Sequence, residues 1–144
     1  MHKLTALAGA LLGLCAGPAQ ILASGDFPAG FLIGKYHLIG RAPDVERTYY
    51  GRLTIRQGKQ GLAVARVIAG ETVQGSGDIV KALCCEGVEL LRMRFVEEGR
   101  EYEETCMVDS DLDNYARVTC LLYRRDESTD TPGFEALFID LSED

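Results

Sequence analysis

Apolar and polar residues alternate with a period of two along most of the chain after Gly30. In the segment from Thr48 to Gln57, Leu53 and Ile55 alternate with arginine and threonine, and glycine or polar clusters separate such segments at short intervals. No stretch of a dozen residues follows the 3.6-residue period of a helix. The pattern predicts eight strands, over residues 34–41, 48–57, 62–69, 72–80, 88–96, 100–108, 115–124 and 133–141.

Short meandering strands at this spacing are typical of an up-and-down barrel or a sandwich. Gly75 and Gly77 interrupt the fourth strand, and a glycine inside a strand allows a sheet to bend. We therefore expect an all-β fold, a single antiparallel up-and-down barrel of about eight strands, with a small β-sandwich as the alternative.

One hairpin has a register that the side chains select. A two-residue loop at 98–99 places Phe95 opposite Tyr102 and Arg94 opposite Glu103, so that aromatic meets aromatic and opposite charges meet. A shift of one residue would place the phenylalanine opposite a glutamate. We therefore predict the first register.

The start of the chain has the pattern of a secretory leader. A short basic start is followed by an apolar stretch from Leu4 to Gly17, a proline and small residues. This stretch is shorter than the roughly 20 residues that a membrane span needs. Residues 1–24 are therefore predicted to be a signal peptide, cleaved after Ala19 or Ala23, and residues 25–144 the barrel domain. An N-terminal anchor helix is the alternative. A cleaved leader implies a periplasmic or secreted protein without a membrane span in its mature form.

Export changes the meaning of the cysteines. Four of the five cysteines lie beyond the leader, and an even number in an exported chain is typical of a disulfide framework. The hairpin register places Cys106 on the apolar side of its strand, and Cys120 lies on the apolar side of the next one. We predict a Cys106–Cys120 disulfide, with the two strands in directly opposite register. Cys84 and Cys85 could stay reduced, form a vicinal bridge or join another chain.

The first predicted strand carries a family resemblance. Gly34, one intervening residue and Tyr36, with alanine and proline at 42–43, resemble the G-x-W signature of lipocalins and related calycins, with tyrosine in place of tryptophan. The resemblance implies a β-barrel whose first-strand aromatic plugs the closed end. It also implies a basic residue packed on that aromatic, which Arg124 or Arg125 could supply. The mature length is closer to that of smaller barrels such as avidins and periplasmic lysozyme inhibitors. Avidin sites are walled by tryptophan, which this chain lacks, so biotin binding is not expected.

Charge narrows the possible partners. The chain has a formal net charge of −7, which becomes −8 once the leader and its one lysine are removed. An acidic protein is a poor match for phosphates, so we expect no nucleic-acid binding. One predicted hairpin could present an acidic surface to a basic protein. Its carboxylates are Glu97, Glu98, Glu101, Glu103 and Glu104.

An aspartate-rich loop follows this hairpin. Asp109, Asp111 and Asp113 have the alternate spacing that suits Ca²⁺. An EF-hand loop would also need glycine and glutamate where this chain has Asn114 and Cys120. We expect a solvated loop, and neither a metal nor another cofactor.

The functional prediction is a binding protein. Beyond the leader, His37 is the one histidine, and carboxylates at an exposed hairpin tip are not expected to have raised pKa values, so we predict no enzyme activity. Amphipathic aromatic side chains could line a barrel mouth and bind a ligand. The candidates are Tyr36, Tyr50, Tyr102 and Tyr123. We expect an exported calycin-like protein that binds a small apolar molecule. The alternative is a protein-binding module or inhibitor with a filled barrel and an acidic surface.

Overall fold

The fold is a closed barrel of eight antiparallel strands that follow one another in chain order. A computed structural model describes residues 29–84, 87–108 and 116–142. Strand β8 closes the barrel by pairing with β1. The strands are β1 (Gly34–Arg41), β2 (Thr48–Gln57), β3 (Leu62–Ile68), β4 (Glu71–Lys81), β5 (Glu89–Glu97), β6 (Arg100–Val108), β7 (Ala116–Arg124) and β8 (Gly133–Ile139).

The predicted barrel is confirmed, and the sandwich alternative is wrong. Each predicted strand agrees with an observed one to within two residues at either end. The predicted signal peptide, residues 1–24, lies outside the described residues and stays a prediction. Among the described residues, no helix has the length and apolar character needed to cross a membrane.

The β5–β6 hairpin has the predicted register. Phe95 pairs with Tyr102, and their rings stack with centroids 5.4 Å apart. Arg94 donates to Glu103 across the same pair of strands at 2.8 Å. The turn residues 98 and 99 have φ values of 50° and 76°, the left-handed conformation that a two-residue hairpin turn requires.

The barrel has two different ends, which we call the base and the rim. A short 3₁₀ helix, Ala29–Leu32, enters at the base, where β1 begins. Tyr36 is 1% exposed there, and its hydroxyl donates to the carbonyl of Leu32 at 2.8 Å. The first strand therefore places an inward aromatic side chain at one end of the barrel, as the calycin resemblance implies.

The arginine expected to accompany Tyr36 is a different residue. Arg124 lies at the rim, where it donates to Asp44 at 2.6 Å, and Arg125 also lies at the rim end of β7. An arginine that does lie at the base is Arg117, whose guanidinium lies 4.6 Å from the ring centre of Phe31. The expectation for Arg124 and Arg125 is thus wrong, because β7 runs from base to rim and ends at these residues.

Inward-facing apolar side chains fill the part of the barrel nearest the base. Burial of each large apolar side chain contributes about 1.5–3 kcal/mol, so this core is the main source of stability. Its members include Leu32, Tyr36, Leu38, Leu53, Ile55, Leu62, Val64, Leu91, Met93, Val118 and Leu137.

The predicted disulfide is present in the core. Cys106 and Cys120 are directly opposite on β6 and β7, with Cα atoms 4.0 Å apart and their sulfurs bonded. Cys84 is exposed, while Cys85 lies outside the described residues. The alternatives for the second cysteine pair therefore stay open.

Candidate functional site

The rim half of the barrel interior contains buried charged side chains among its apolar ones. Arg66 on β3 is 2% exposed, and Glu104 on β6 and Glu135 on β8 are both 0% exposed. Tyr49 on β2 joins them, and we call these four residues the interior network. Strand alternation turns each of them inward, since Arg66 follows the buried Val64 by two positions.

Glu135 is the acceptor at the centre of the interior network. Its Oε1 atom accepts hydrogen bonds from the Arg66 guanidinium and from the Tyr49 hydroxyl. The Arg66 Nε atom also lies 3.9 Å from Oε1 of Glu104. One guanidinium therefore faces two fully buried carboxyl groups, and a buried charge needs such a partner to be tolerated.

Two further residues contact the Arg66 guanidinium from the rim side. Its central carbon lies 3.9 Å from the ring centre of Phe95, a cation–π contact. Its NH1 atom lies 3.6 Å from Oε2 of Glu97, a side chain that is one-third exposed. Phe95 in turn stacks on Tyr102, so these two rings cover the interior network toward the rim.

Burial changes the proton affinity of the interior network. Loss of solvation, with the neighbouring Glu135 as the second cause, raises the pKa of Glu104 well above its usual range. Burial and the same glutamate also raise the pKa of Tyr49, which stays a hydrogen-bond donor. Burial alone would lower the pKa of Arg66, but attraction to Glu135 and Glu104 raises it. The network therefore places a permanent cation beside two buried carboxyl groups, and the pKa of one of them, Glu104, is raised.

The expectation that this hairpin holds only exposed carboxylates is wrong for Glu104. The register that pairs Phe95 with Tyr102 also turns Glu104 inward, two positions along the strand and two before Cys106. That signal was present in the sequence, because residues two positions apart on a strand face the same side of the sheet. Glu104 is two positions from each of two inward residues, so it points into the barrel as well. Arg66 and Glu135 occupy equivalent positions on their strands.

The four predicted ligand-binding tyrosines do not share a site. Tyr36 is inside the barrel at the base, and Tyr102 lies at the rim against Phe95. Tyr50 is 83% exposed on the outer wall. Tyr123, on β7, pairs with Glu103 of β6 and lies one position from the inward Leu122. The fold thus separates these tyrosines between the two ends and the two faces of the sheet.

The predicted acidic surface is largely neutralised by arginines. Glu104 is inside the barrel, and three of the other four carboxylates on this hairpin form ion pairs. The pairs are Glu97 with Arg66 at 3.6 Å, Glu101 with Arg125 at 2.8 Å, and Glu103 with Arg92 at 3.3 Å and Arg94 at 2.8 Å. The hairpin therefore offers a basic partner much less negative charge than its sequence suggests.

A possible metal set is occupied by the disulfide. Ligand atoms of Glu104, Cys106 and Cys120 lie within 4.8 Å of one another. The two sulfurs are bonded to each other, so they cannot act as thiolate ligands. The aspartate-rich loop, residues 109–114, lies outside the described residues.

Apolar side chains form a patch on the outer wall across β2, β1, β8 and β7. Ile39 is 52% exposed and pairs with Tyr50, which is 83% exposed. Phe134 and Leu121 also pair, and are 43% and 45% exposed. We call these four residues the wall patch. Three of them, Ile39, Leu121 and Phe134, help to line a groove of about 440 Å³. A contiguous exposed apolar area of this kind is typical of an interaction surface.

Sequence comparisons give no relative from which to transfer a function. No protein-family model matches the chain, and no curated protein has a similar sequence.

Proposed function

We propose that this protein is an exported, non-enzymatic binding protein that recognises a partner protein through the outside of a filled barrel. The proposal favours the second of the two functions expected from the sequence. A carrier of a small apolar molecule stays the alternative.

The packing of the barrel interior carries this proposal. A side chain that lines a ligand-sized hollow leaves part of its surface uncovered toward that hollow. The buried apolar core side chains expose at most 5% of their surface, and Arg66, Glu104 and Glu135 expose at most 2%. A carrier would instead need a cavity of roughly 300–1,000 Å³.

The interior network also favours a partner outside the barrel. An apolar ligand in the rim half would separate Arg66 from its carboxyl groups. Removing one partner of a buried ion pair costs about 3–5 kcal/mol. The wall patch has no such cost, since its side chains already face solvent. Burying them against a partner would be favourable by about 25 cal/mol per Å² of apolar area.

Native mass spectrometry of the exported protein distinguishes the two functions. We expect the mass of the polypeptide with one disulfide between Cys106 and Cys120 and no bound apolar molecule. A stoichiometric molecule that is released on denaturation would overturn the proposal in favour of the carrier. The same measurement tests export, because we expect a chain that begins at residue 20 or 24.

Site-specific photo-crosslinking tests the outer wall. A photoreactive residue at Ile39 is expected to form a crosslink to one protein in the exporting cell. The matched control is Val96, an apolar residue on the outer face of β5 that is 57% exposed. Crosslinks of equal yield from both positions, or from neither, would contradict the proposed surface. Ile39→Ser should then reduce binding of the identified protein in purified form.

A further inference from the structure

A second groove lies on the rim side of the outer wall, between β1, β2 and β3. It has a volume of about 950 Å³. We call it the basic groove, because its ionisable lining side chains other than tyrosine are His37, Arg47 and Arg52. Its lining includes no aspartate or glutamate, although the chain as a whole has 22 acidic and 15 basic residues.

The two arginines of the basic groove are available to a ligand. Arg47 and Arg52 are both exposed, and within the described part of the chain Arg47 forms no ion pair. Asp140 lies on one side of the groove, with its Oδ2 atom 3.6 Å from Nε2 of His37 and close enough to interact with Arg52. This carboxylate faces His37 and Arg52, and the groove lining itself has two arginines and no acidic side chain, so its charge is positive.

The basic groove also has an apolar contact surface. Tyr50 is 83% exposed and Val67 is 36% exposed, on adjacent strands. Tyr50 belongs to the wall patch as well, so the groove and the patch form one continuous surface. Exposed tyrosine beside arginine is a composition enriched at the contact residues of protein interfaces.

We propose that the basic groove receives an acidic segment of the partner protein, whose carboxylates contact Arg47 and Arg52 and whose apolar side chain packs on Tyr50. The inference rests on the proposed function, because it names the chemistry of the same partner. A polypeptide matches both features, since the positive charge and the apolar wall patch adjoin within one surface. The groove provides affinity and orientation that the patch alone would lack.

A peptide titration tests this assignment. The probe is a synthetic peptide in which glutamates flank a phenylalanine, and its reference is the same peptide with glutamine in place of glutamate. We expect the glutamate peptide to shift the backbone amide signals of Arg47, Tyr50 and Arg52 in ¹⁵N-labelled protein. Its binding should weaken as salt is added.

Charge reversal on one strand supplies the matched variants. Arg52→Glu should weaken binding of the glutamate peptide about tenfold, because an attraction becomes a repulsion. Arg56→Glu makes the same change on the same face of β2, four residues toward the base and outside the groove, and should alter affinity less than about twofold. Arg47→Glu, in the loop before β2, gives an independent second measurement.

Four outcomes of these experiments would overturn the inference, and a fifth would overturn the proposed function. Equal binding of the glutamine peptide would show that charge is not recognised. Preferential binding to vesicles that contain an anionic phospholipid would identify a membrane surface. Self-association that Arg52→Glu abolishes would identify a second copy of this chain. If the Arg47→Glu/Arg52→Glu variant still forms the crosslink from Ile39, the basic groove does not bind an acidic segment of the partner, while the proposed function stands. If the protein with both arginines forms no specific crosslink from Ile39, the proposed function itself is refuted.

Discussion

Substitution of Arg66 is the most direct test of how the barrel interior is held together. Arg66→Met keeps most of the aliphatic length of the side chain and removes the guanidinium. The change leaves Glu135 without its charged donor and Glu104 without the cation at 3.9 Å. It also removes the cation–π contact at 3.9 Å on Phe95.

The expected loss of stability follows from these contacts. A hydrogen bond to a charged group contributes about 1.5–3 kcal/mol, and a desolvated cation–π contact about 2 kcal/mol. Their combination agrees with the roughly 3–5 kcal/mol measured when one partner of a buried ion pair is removed. For a domain of this size, about 4 °C per kcal/mol places the fall in melting temperature at about 12–20 °C.

Urea denaturation at pH 7.5 gives the free energy of unfolding directly. Arg66→Met/Glu135→Gln removes both charges and should recover at least about half of the loss, because no uncompensated carboxylate stays buried. Arg56→Met, an exposed arginine on β2, should change stability by less than about 0.5 kcal/mol. If Arg66→Met lies within about 1 kcal/mol of the wild type, or the double variant is no more stable than the single one, the interior network does not hold the rim half together.

Three further changes test other parts of the interior. A carboxyl with a raised pKa favours the folded state below its usual titration range and loses that contribution as the pH rises through the raised value. Glu104→Gln should therefore flatten the pH dependence of stability, and should gain on the wild type from pH 5 to pH 8 in urea titrations. Cys106→Ser/Cys120→Ser, or reduction with a dithiol, should lower the free energy of unfolding by about 3 kcal/mol, which is the contribution of a disulfide that closes a loop of about 15 residues. The two cysteines are 14 positions apart, and an unchanged urea midpoint would refute this. A Cβ atom on Gly40 would lie 2.7 Å from the Tyr49 ring, so Gly40→Ala should displace that ring and destabilise the barrel as much as Tyr49→Phe does. If the losses of stability from the two changes add up in the double variant, the two changes do not act on the same contact.

The sequence predicted the strands and favoured the barrel over a sandwich because each local pattern agreed with the global fold. Period-two alternation specifies the strands, and the side-chain pairs on either side of residues 98–99 specify one hairpin register. That register places Cys106 on the apolar side of β6, and the separate register of β6 with β7 places it opposite Cys120. These features depend on neighbours in the chain or in one hairpin, which a single sequence displays.

The interior network was not predicted because its members meet only after the barrel closes. Arg66, Glu104 and Glu135 lie on β3, β6 and β8, three strands that are far apart in the sequence. The alternation of apolar and polar residues shows that each of these side chains points into the barrel. Which cation meets which anion depends on the distances across the barrel, which the alternation does not give. The same argument applies to Arg117, whose place at the base follows from the direction of β7.

The way the barrel is filled explains why its outer surface is the better candidate for recognition. An eight-stranded barrel has an interior just wide enough for side chains or one small ligand. In this protein apolar side chains occupy the base half, and the rim half holds an arginine with two buried carboxyl groups. An apolar ligand could enter only by separating these charges in a region that water does not reach, at a cost of several kcal/mol. The exposed apolar side chains of the wall patch and the arginines of the basic groove need no such rearrangement, so the contact free energy there is available for binding a partner.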